Sequence, residues 1–303
     1  MPSTATITQS GVTDAPTPPP IAVVKLKTNK QKQLGNVLKN AQIIVGVTII
    51  LGFIIMALFA PWIAPMDPIE ISVARRLQAP STYHWFGTDE LGRDVFSRII
   101  FGTRISLLVG ISSTVIGAVF GVSFGIVAGY FGGKVDAIFM RLMDVMLAFP
   151  GILLALGIVA VLEPSTLNTI IAVSIFAIPG FARVTRGSVL GVKKLEYIEA
   201  IRAVGAKDTR IILGHVLPNV ISPVIVQATL YVATAIVIAA SLSFLGMGTQ
   251  PPTPEWGTML ASGREFLRQA PHLTMYPGIM ILVVVLGINL IGDGLRDALE
   301  TKK

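Results

Sequence analysis

Long stretches without a single charge dominate this chain. No Asp, Glu, Lys or Arg occurs between Lys39 and Asp67, between Arg104 and Lys134, between Asp144 and Glu163, or between Glu163 and Arg183. Two more such stretches lie within Val216–Pro254 and between Arg268 and Asp293. A helix crossing the hydrocarbon of a bilayer needs about 20 mostly apolar residues. Each stretch holds a core of that order, so the expected fold is an all-α polytopic membrane protein. Its six transmembrane helices are expected at 41–60, 105–131, 138–162, 165–185, 219–245 and 276–296. Composition points the same way: 52% of the residues are hydrophobic and 14% are charged, where soluble domains carry about 25% charge.

An even number of spans returns both termini to one side. Arg75, Arg76, Arg93, Arg98 and Arg104 fall in the 61–104 loop, and Arg264 and Arg268 in the 246–275 loop. The remaining basic residues lie on the opposite side. An excess of Lys and Arg marks cytoplasmic segments, so both termini, including the 297–303 tail, are expected in the cytoplasm. The net charge of +7 then reports topology, and no nucleic-acid partner is expected. Residues 1–40 are expected to be a disordered, basic cytoplasmic tail, with Pro16, Pro18, Pro19 and Pro20 among Ser and Thr. The first apolar run is too long for a signal-peptide core and reads as a retained anchor. The two loops of 61–104 and 246–275 are long enough to fold locally. Their Trp62, Trp85 and Trp256 suit an interfacial belt or a docking surface.

Gly117, Gly121, Gly125 and Gly129 recur every four residues along the second span. That spacing lines one helix face. Small residues there let two helix backbones approach closely in lipid, so helix packing is the expected role, with Gly110 extending the stripe. Pro150, Pro164, Pro179 and Pro223 are expected near span ends, starting or kinking helices.

Several signals of chemistry dissolve on inspection. Gly121-Val-Ser123-Phe-Gly125 matches G-x-S-x-G, but it sits mid-span rather than on a strand-to-helix turn. His84, His215 and His272 are far apart and predicted on both sides of the membrane, and cysteine is absent, so no metal site is expected. There is no G-x-x-x-x-G-K-[ST] phosphate loop. Ionisable groups deep in the spans, which mark ion-coupled carriers, are almost absent; Asp144 and Arg183 are expected at an interface or in ion pairs. An ion-coupled secondary carrier is thereby disfavoured, and energy is expected from outside the chain.

The segment 186–218 carries the strongest local signal. Ile198, Ile201, Val204, Ile211 and Ile212 give an apolar face on short helices, Gly205 permits a sharp turn, and Pro218 opens the next span. Such an amphipathic element suits a lipid surface or a groove on a partner protein. It resembles the EAA loop of ABC importer permeases, which reads E-A-A, three residues, G, then an apolar residue followed by L-P. Glu199, Ala200, Gly205, Val216, Leu217 and Pro218 match, with Ile201 in place of the second Ala. Further motifs resemble the dipeptide/oligopeptide/nickel branch, the DppC/OppC type. They are Phe86-Gly-Thr-Asp89-Glu-Leu-Gly92-Arg93-Asp94-Val-Phe-Ser97-Arg98, the run DVMLAFPG from Asp144 to Gly151, Ser241–Gly246 with Pro251-Pro252 and Glu255-Trp256-Gly257, and Gly292-Asp293-Gly294-Leu-Arg296-Asp297.

The resemblance implies a type I ABC importer permease in a bacterial plasma (inner) membrane, surrounded by lipid. It implies a second homologous permease, two ATP-binding subunits and an extracytoplasmic solute-binding protein as partners. Glu199, Ala200, Ile201, Gly205, Leu217 and Pro218 would form the ATPase-coupling contact. The chain would hold no cofactor and catalyse no reaction itself, ATP and Mg being bound by the ATPase subunits. The solute would be a di- or oligopeptide, with glutathione and nickel or a nickel chelate as alternatives.

Overall fold

A computed structural model of the chain describes residues 40–300, with side chains to Ala298. The expected tail at 1–39 and residues 301–303 lie outside the described residues. Those that are described are almost wholly helical; the one piece of extended pairing is an isolated bridge between Thr88 and Asp94.

Among the described residues, eleven helices, together with short 3-10 and π turns, follow one another. They are α1 (Ala41–Leu58), α2 (Ala60–Ile63), α3 (Val95–Phe131), α4 (Gly133–Leu147), α5 (Gly151–Leu162), α6 (Thr166–Lys193), α7 (Glu196–Ala203), α8 (Asp208–Ile211), α9 (Leu217–Phe244), α10 (Trp256–Gly263) and α11 (His272–Glu300). Among the described residues, five helical stretches are long and apolar enough to cross a membrane, and α4 with α5 makes a sixth if that bent pair is one span.

Local chemistry sets the starts of these helices. Asn40 accepts from the Gln42 amide, Asp94 from Ser97, Ser165 from Asn168, and Glu255 from Gly257 and Thr258. Each satisfies amides that the first helical turn leaves without partners. Apolar side chains left on the outer faces, such as Ile44, Val45 and Leu51 on α1, suit contact with lipid tails.

The interior is organised around α3, which at 37 residues is about 55 Å long. It lies alongside α6 in the same chain direction: Gly117 faces Ala177, Gly121 faces Phe181, and Gly129 faces Val189. α9 packs on another side, with Gly110 against Ile236. α1 runs antiparallel to α11, where Gly46 meets Gly287 and Ile291 while Gly294 meets Ile43.

Several boundaries differ from those expected. α3 begins at Val95, ten positions before 105, because the Asp94 cap starts the helix while Arg98 and Arg104 still lie ahead of the uncharged run. α6 continues past 185 to Lys193, and α11 starts at His272 rather than 276. Helical structure thus outruns the apolar stretch wherever polar side chains can still be satisfied.

The stretch at 138–162 is two helices with a 90° bend between them. Pro150 lacks an amide and pushes Phe149 out of the α region, and nothing in the charge pattern marks that break. Pro179, expected near an end, lies inside α6, and Pro223 lies inside α9. Trp256 is fully buried against Phe53 and donates to the Ile99 carbonyl at 3.2 Å, whereas Trp62 and Trp85 stay exposed. The three Trp therefore do not form one belt.

Candidate functional site

The segment 195–218 is a helix–turn–helix standing on the ends of α3 and α6. Its first eight expected positions, 186–193, belong to α6. α7 follows, the chain turns at Gly205, and α8 leads through a π turn at Ile212–Val216 into α9 without a break. Gly205 has φ +85°, a left-handed conformation that costs little only for glycine. Pro218 directly follows the π turn, at the second position of α9.

Apolar burial anchors the segment. Ile198, Ile211, Val216 and Val220 pack with Ile126, Tyr130 and Val189, and Ile201, Ile212 and Leu217 lie partly buried beside them. Val204 departs from the expected apolar face: it is 90% exposed. The turn at Gly205 carries it past the edge of the anchor cluster.

Polar contacts tie the same parts together. The Tyr130 hydroxyl donates to Asp208 Oδ1 at 2.5 Å and accepts from Arg202 Nη2 at 3.2 Å. Lys193 Nζ donates to the Tyr130 carbonyl at 2.6 Å. The hydrogen bond to Tyr130 holds the Arg202 guanidinium above its usual pKa.

Beside the turn is an open hollow of about 590 Å³ lined by Ala200, Ile201, Val204, Gly205, Arg210 and His215 among others. Of the residues singled out in the sequence, Ala200, Ile201 and Gly205 line it together. Glu199 is exposed on α7, Leu217 packs into the anchor cluster, and Pro218 is exposed at the start of α9.

The glycine stripe lies between α3 and α6. A Cβ added at Gly117 would fall 2.5 Å from Ala177 Cβ, one at Gly121 2.5 Å from Phe181 Cβ, and one at Gly125 2.6 Å from the Ala182 carbonyl. At Gly129 it would fall 2.9 Å from Val189 Cβ. Real Cβ contacts do not come so close, so these glycines set the approach of the two helices. Ser123 lies mid-helix and donates to the Val119 carbonyl at 2.7 Å. Across α4 and α6, Arg183 donates to Asp144 at 2.6 Å, and Arg186 forks onto Asp136 at 2.5 and 2.6 Å. Among the described residues, no three His, Asp or Glu converge on a metal position.

The opposite end of α3 is built from the 86–98 motif. Arg93 Nε donates to Asp89 Oδ2 at 2.7 Å, Arg98 reaches the same carboxylate at 3.4 Å, and Arg98 also donates to the Pro68 carbonyl at 3.0 Å. Asp94 accepts from the Ser97 amide and hydroxyl, both at 2.8 Å, and pairs with His84 Nδ1 at 2.9 Å. Gly92, at φ +76°, presses against the Ser72 carbonyl, leaving no room for a side chain. Phe86 stacks on Tyr276 with centroids 3.9 Å apart. Between the two wide loops lies a second hollow of about 690 Å³, bordered by Pro61, Met66, Ile69, Phe101, Pro252 and Pro254 among others.

Sequence reasoning did not single out Tyr130 or Asp208. Their contact spans 78 positions, and neither residue carries a local pattern. The charges of the 86–98 motif were visible, but not their burial.

Comparison with known proteins places this architecture. The family described as binding-protein-dependent transport system inner membrane component matches residues 121–303, and the N-terminal transmembrane domain of oligopeptide transport permease C matches residues 37–80. The dipeptide transport system permease protein DppC of Alkalihalophilus pseudofirmus is 50% identical over 87% of this chain and 87% of its own. The glutathione transport system permease protein GsiD of Pectobacterium atrosepticum is 47% identical over 84% of each. The di/tripeptide transport system permease protein DppC of Pseudomonas aeruginosa is 48% identical over 85% of this chain and 87% of its own. A solved chain of the MetNI methionine ABC transporter, in an inward-facing conformation, shares the fold. Its TM-score is 0.57 at 18% identity, covering 67% of this chain and 97% of that one. The chain belongs to the inner membrane components of binding-protein-dependent transport systems: it is a polytopic bacterial ABC importer permease of the DppC/OppC type.

Proposed function

We propose that this permease carries di- or oligopeptides inward along a path formed with a second homologous permease. One of two ATP-binding subunits docks on the 195–218 segment, with Glu199, Ala200, Ile201 and Gly205 at or beside the contact and Leu217 and Pro218 fixing its return into α9; the other docks on the second permease. An extracytoplasmic solute-binding protein is received by the wide loops at the other end of α3. The chain itself performs no covalent chemistry and holds no cofactor; ATP and Mg are bound by the partner subunits. ATP binding and hydrolysis there bias an equilibrium between inward-open and outward-open arrangements. The excess of Lys and Arg over the N-terminal tail, the 132–141 turn, the 183–219 stretch and the C-terminus together supports placing this segment, with both termini, in the cytoplasm.

The observation that carries this reading is the exposed hollow at Gly205, set on short helices rooted in α3 and α6. A helix-in-groove contact needs such a projecting, partly apolar element. The peptide assignment is supported by 50% identity to a dipeptide permease. Relatives named for glutathione transport, at 47% and 49% identity, support a second reading in which the solute is glutathione.

The test is reconstitution of the chain with its cognate second permease, ATPases and binding protein in liposomes. ATP-dependent accumulation of a labelled dipeptide is expected. Accumulation of glutathione but not of dipeptide selects the second reading. Uptake that persists without the ATPase subunits contradicts both.

A further inference from the structure

Tyr130 is the penultimate residue of α3 and is 3% exposed. Its one hydroxyl touches both halves of the helix–turn–helix. Arg202, on α7 before the Gly205 turn, donates to it, and it donates to Asp208, on α8 after the turn. The ring lies under the cationic groups of Arg202 and Lys193, 5.5 and 5.8 Å from the centroid. The other anchors of the segment are aliphatic. Apolar burial is non-directional and tolerates sliding, whereas a hydrogen bond at 2.5 Å fixes distance and angle.

Behind Tyr130, α3 cannot slip along α6. Gly121 and Gly125 bring the two backbones so close that a single methyl has no place. Farther on, α3 runs unbroken to the Asp94 cap and the Arg98 ion pair at its other end.

We propose that Tyr130 is a positioning residue for energy coupling. Its phenol clasps both halves of the 195–218 segment to the tip of α3, so that displacement of the segment moves α3 and α6 as one body. This rests on the reading of that segment as the ATPase contact. The bond is a charge-assisted one, to a carboxylate on one side and from a guanidinium on the other. Phenylalanine in its place keeps the ring, the aliphatic anchors and the glycine stripe, and removes only the link. Arg202 and Asp208 are both exposed, so neither is left as a buried unpaired charge.

The test uses the complete reconstituted complex and reads three quantities: copurification of the ATPases, ATP hydrolysis, and solute taken up per ATP hydrolysed. For Tyr130→Phe, copurification and hydrolysis stay at the wild-type level, and uptake per ATP falls about tenfold, the scale of a lost hydrogen bond to a charged group. Asp208→Asn, which keeps the ring and hydroxyl but removes the acceptor's charge, lowers the same ratio by less. The double variant is no worse than Tyr130→Phe alone, because that change already removes the bond to Asp208. An unchanged ratio in Tyr130→Phe overturns the proposal. A ratio that falls only together with loss of the ATPases also overturns it, since that marks a structural role. Should Tyr130→Phe not be recovered from the membrane, Asp208→Asn is judged by the same two criteria. A wild-type complex without ATP-dependent uptake overturns the coupling reading and this proposal with it, and is seen before any substitution is made.

Discussion

At the Val95 end of α3 the charged groups are buried and bonded several times over. At the Phe131 end Arg202 and Asp208 stand exposed around one phenol. Asp89, Arg93, Asp94 and Arg98 are each about 5% exposed or less, and Asp94 alone accepts three hydrogen bonds. Glu199, Arg202, Asp208 and Arg210 lie in the exposed class, and the segment that carries them turns on a single left-handed glycine. Breaking a buried ion pair leaves a desolvated charge behind; separating exposed charges does not. One end is therefore hard to deform and the other easy, although the same helix supplies both. Regions that move are drawn from the low-stability part of a structure, and the 195–218 segment has that character while the wide-loop end does not.

The contrast can be broken most severely by removing the buried cap. Asp94→Ala strips the first turn of α3 of its acceptor and leaves His84 Nδ1 without its partner. A loss of about 3 kcal/mol is expected from the cap and the orphaned group together, read as thermal unfolding of the protein in nanodiscs. A loss below about 1 kcal/mol would show the wide-loop end to be as compliant as the other.

Overfilling the joint between the two ends comes next. Gly121→Leu forces a side chain where a Cβ already lies 2.5 Å from Phe181 Cβ and 2.6 Å from the Ile178 carbonyl. About 1–3 kcal/mol of destabilisation is expected. Gly157→Leu serves as control, since nothing lies within 4 Å of a Cβ there. Equal effects at both positions would remove the argument for a rigid α3–α6 pair.

A smaller effect concerns Glu255, which caps α10 from a site 3% exposed. Burial pushes its carboxyl above the usual value, opposed by the hydrogen bonds from the Gly257 and Thr258 amides. The folded protein therefore keeps this proton to a higher pH than the unfolded chain does. Stability falls as pH rises from the ordinary glutamate value of about 4.3 up to the raised folded value, and is level beyond it. Glu255→Gln keeps a capping oxygen and flattens that slope. Unfolding midpoints collected across pH for both proteins check it, and an unchanged slope in the variant assigns the effect elsewhere.

The smallest effect on stability is expected at Val204. Being 90% exposed, its replacement by Ser changes stability by less than about 0.5 kcal/mol. Uptake is nevertheless expected to fall, by no more than about fivefold, through loss of the apolar contact proposed with the ATPase. Unaltered uptake would place the docking surface away from the Gly205 turn.

Much of the frame was legible in the sequence, for physical reasons. Charges are excluded from hydrocarbon, so the gaps between them locate the crossings. A period of four in glycine can only line one helix face, and that face is where α6 lies. The turn at Gly205 was legible because a left-handed residue with open space around it is best filled by glycine. The bend at Pro150 was not, because the flanking residues are apolar on both sides and the uncharged run continues through it. The start of α3 was hidden by Arg98 and Arg104, whose charges read as loop until Asp89 accounts for the first and the Ala57 and Leu58 carbonyls of α1 for the second. Tyr130 was invisible because its meaning depends on Asp208 and Arg202, which are brought to it only by folding. Val204 departs from the expected face because its helix, α7, ends at Ala203, one residue short of it.

The most direct measurement is ATP-driven uptake by the complete complex carrying Gly205→Asp. Position 205 holds φ +85° beside the hollow, so aspartate both strains the turn and places a carboxylate at the proposed docking surface. Because nothing lies within 4 Å of its Cβ, the chain itself should still fold and assemble with its ATPases. The expected result is loss of uptake with ATP hydrolysis no longer tied to solute. Normal uptake by the assembled variant would contradict the assignment of the 195–218 segment as the site where ATPase motion enters the membrane.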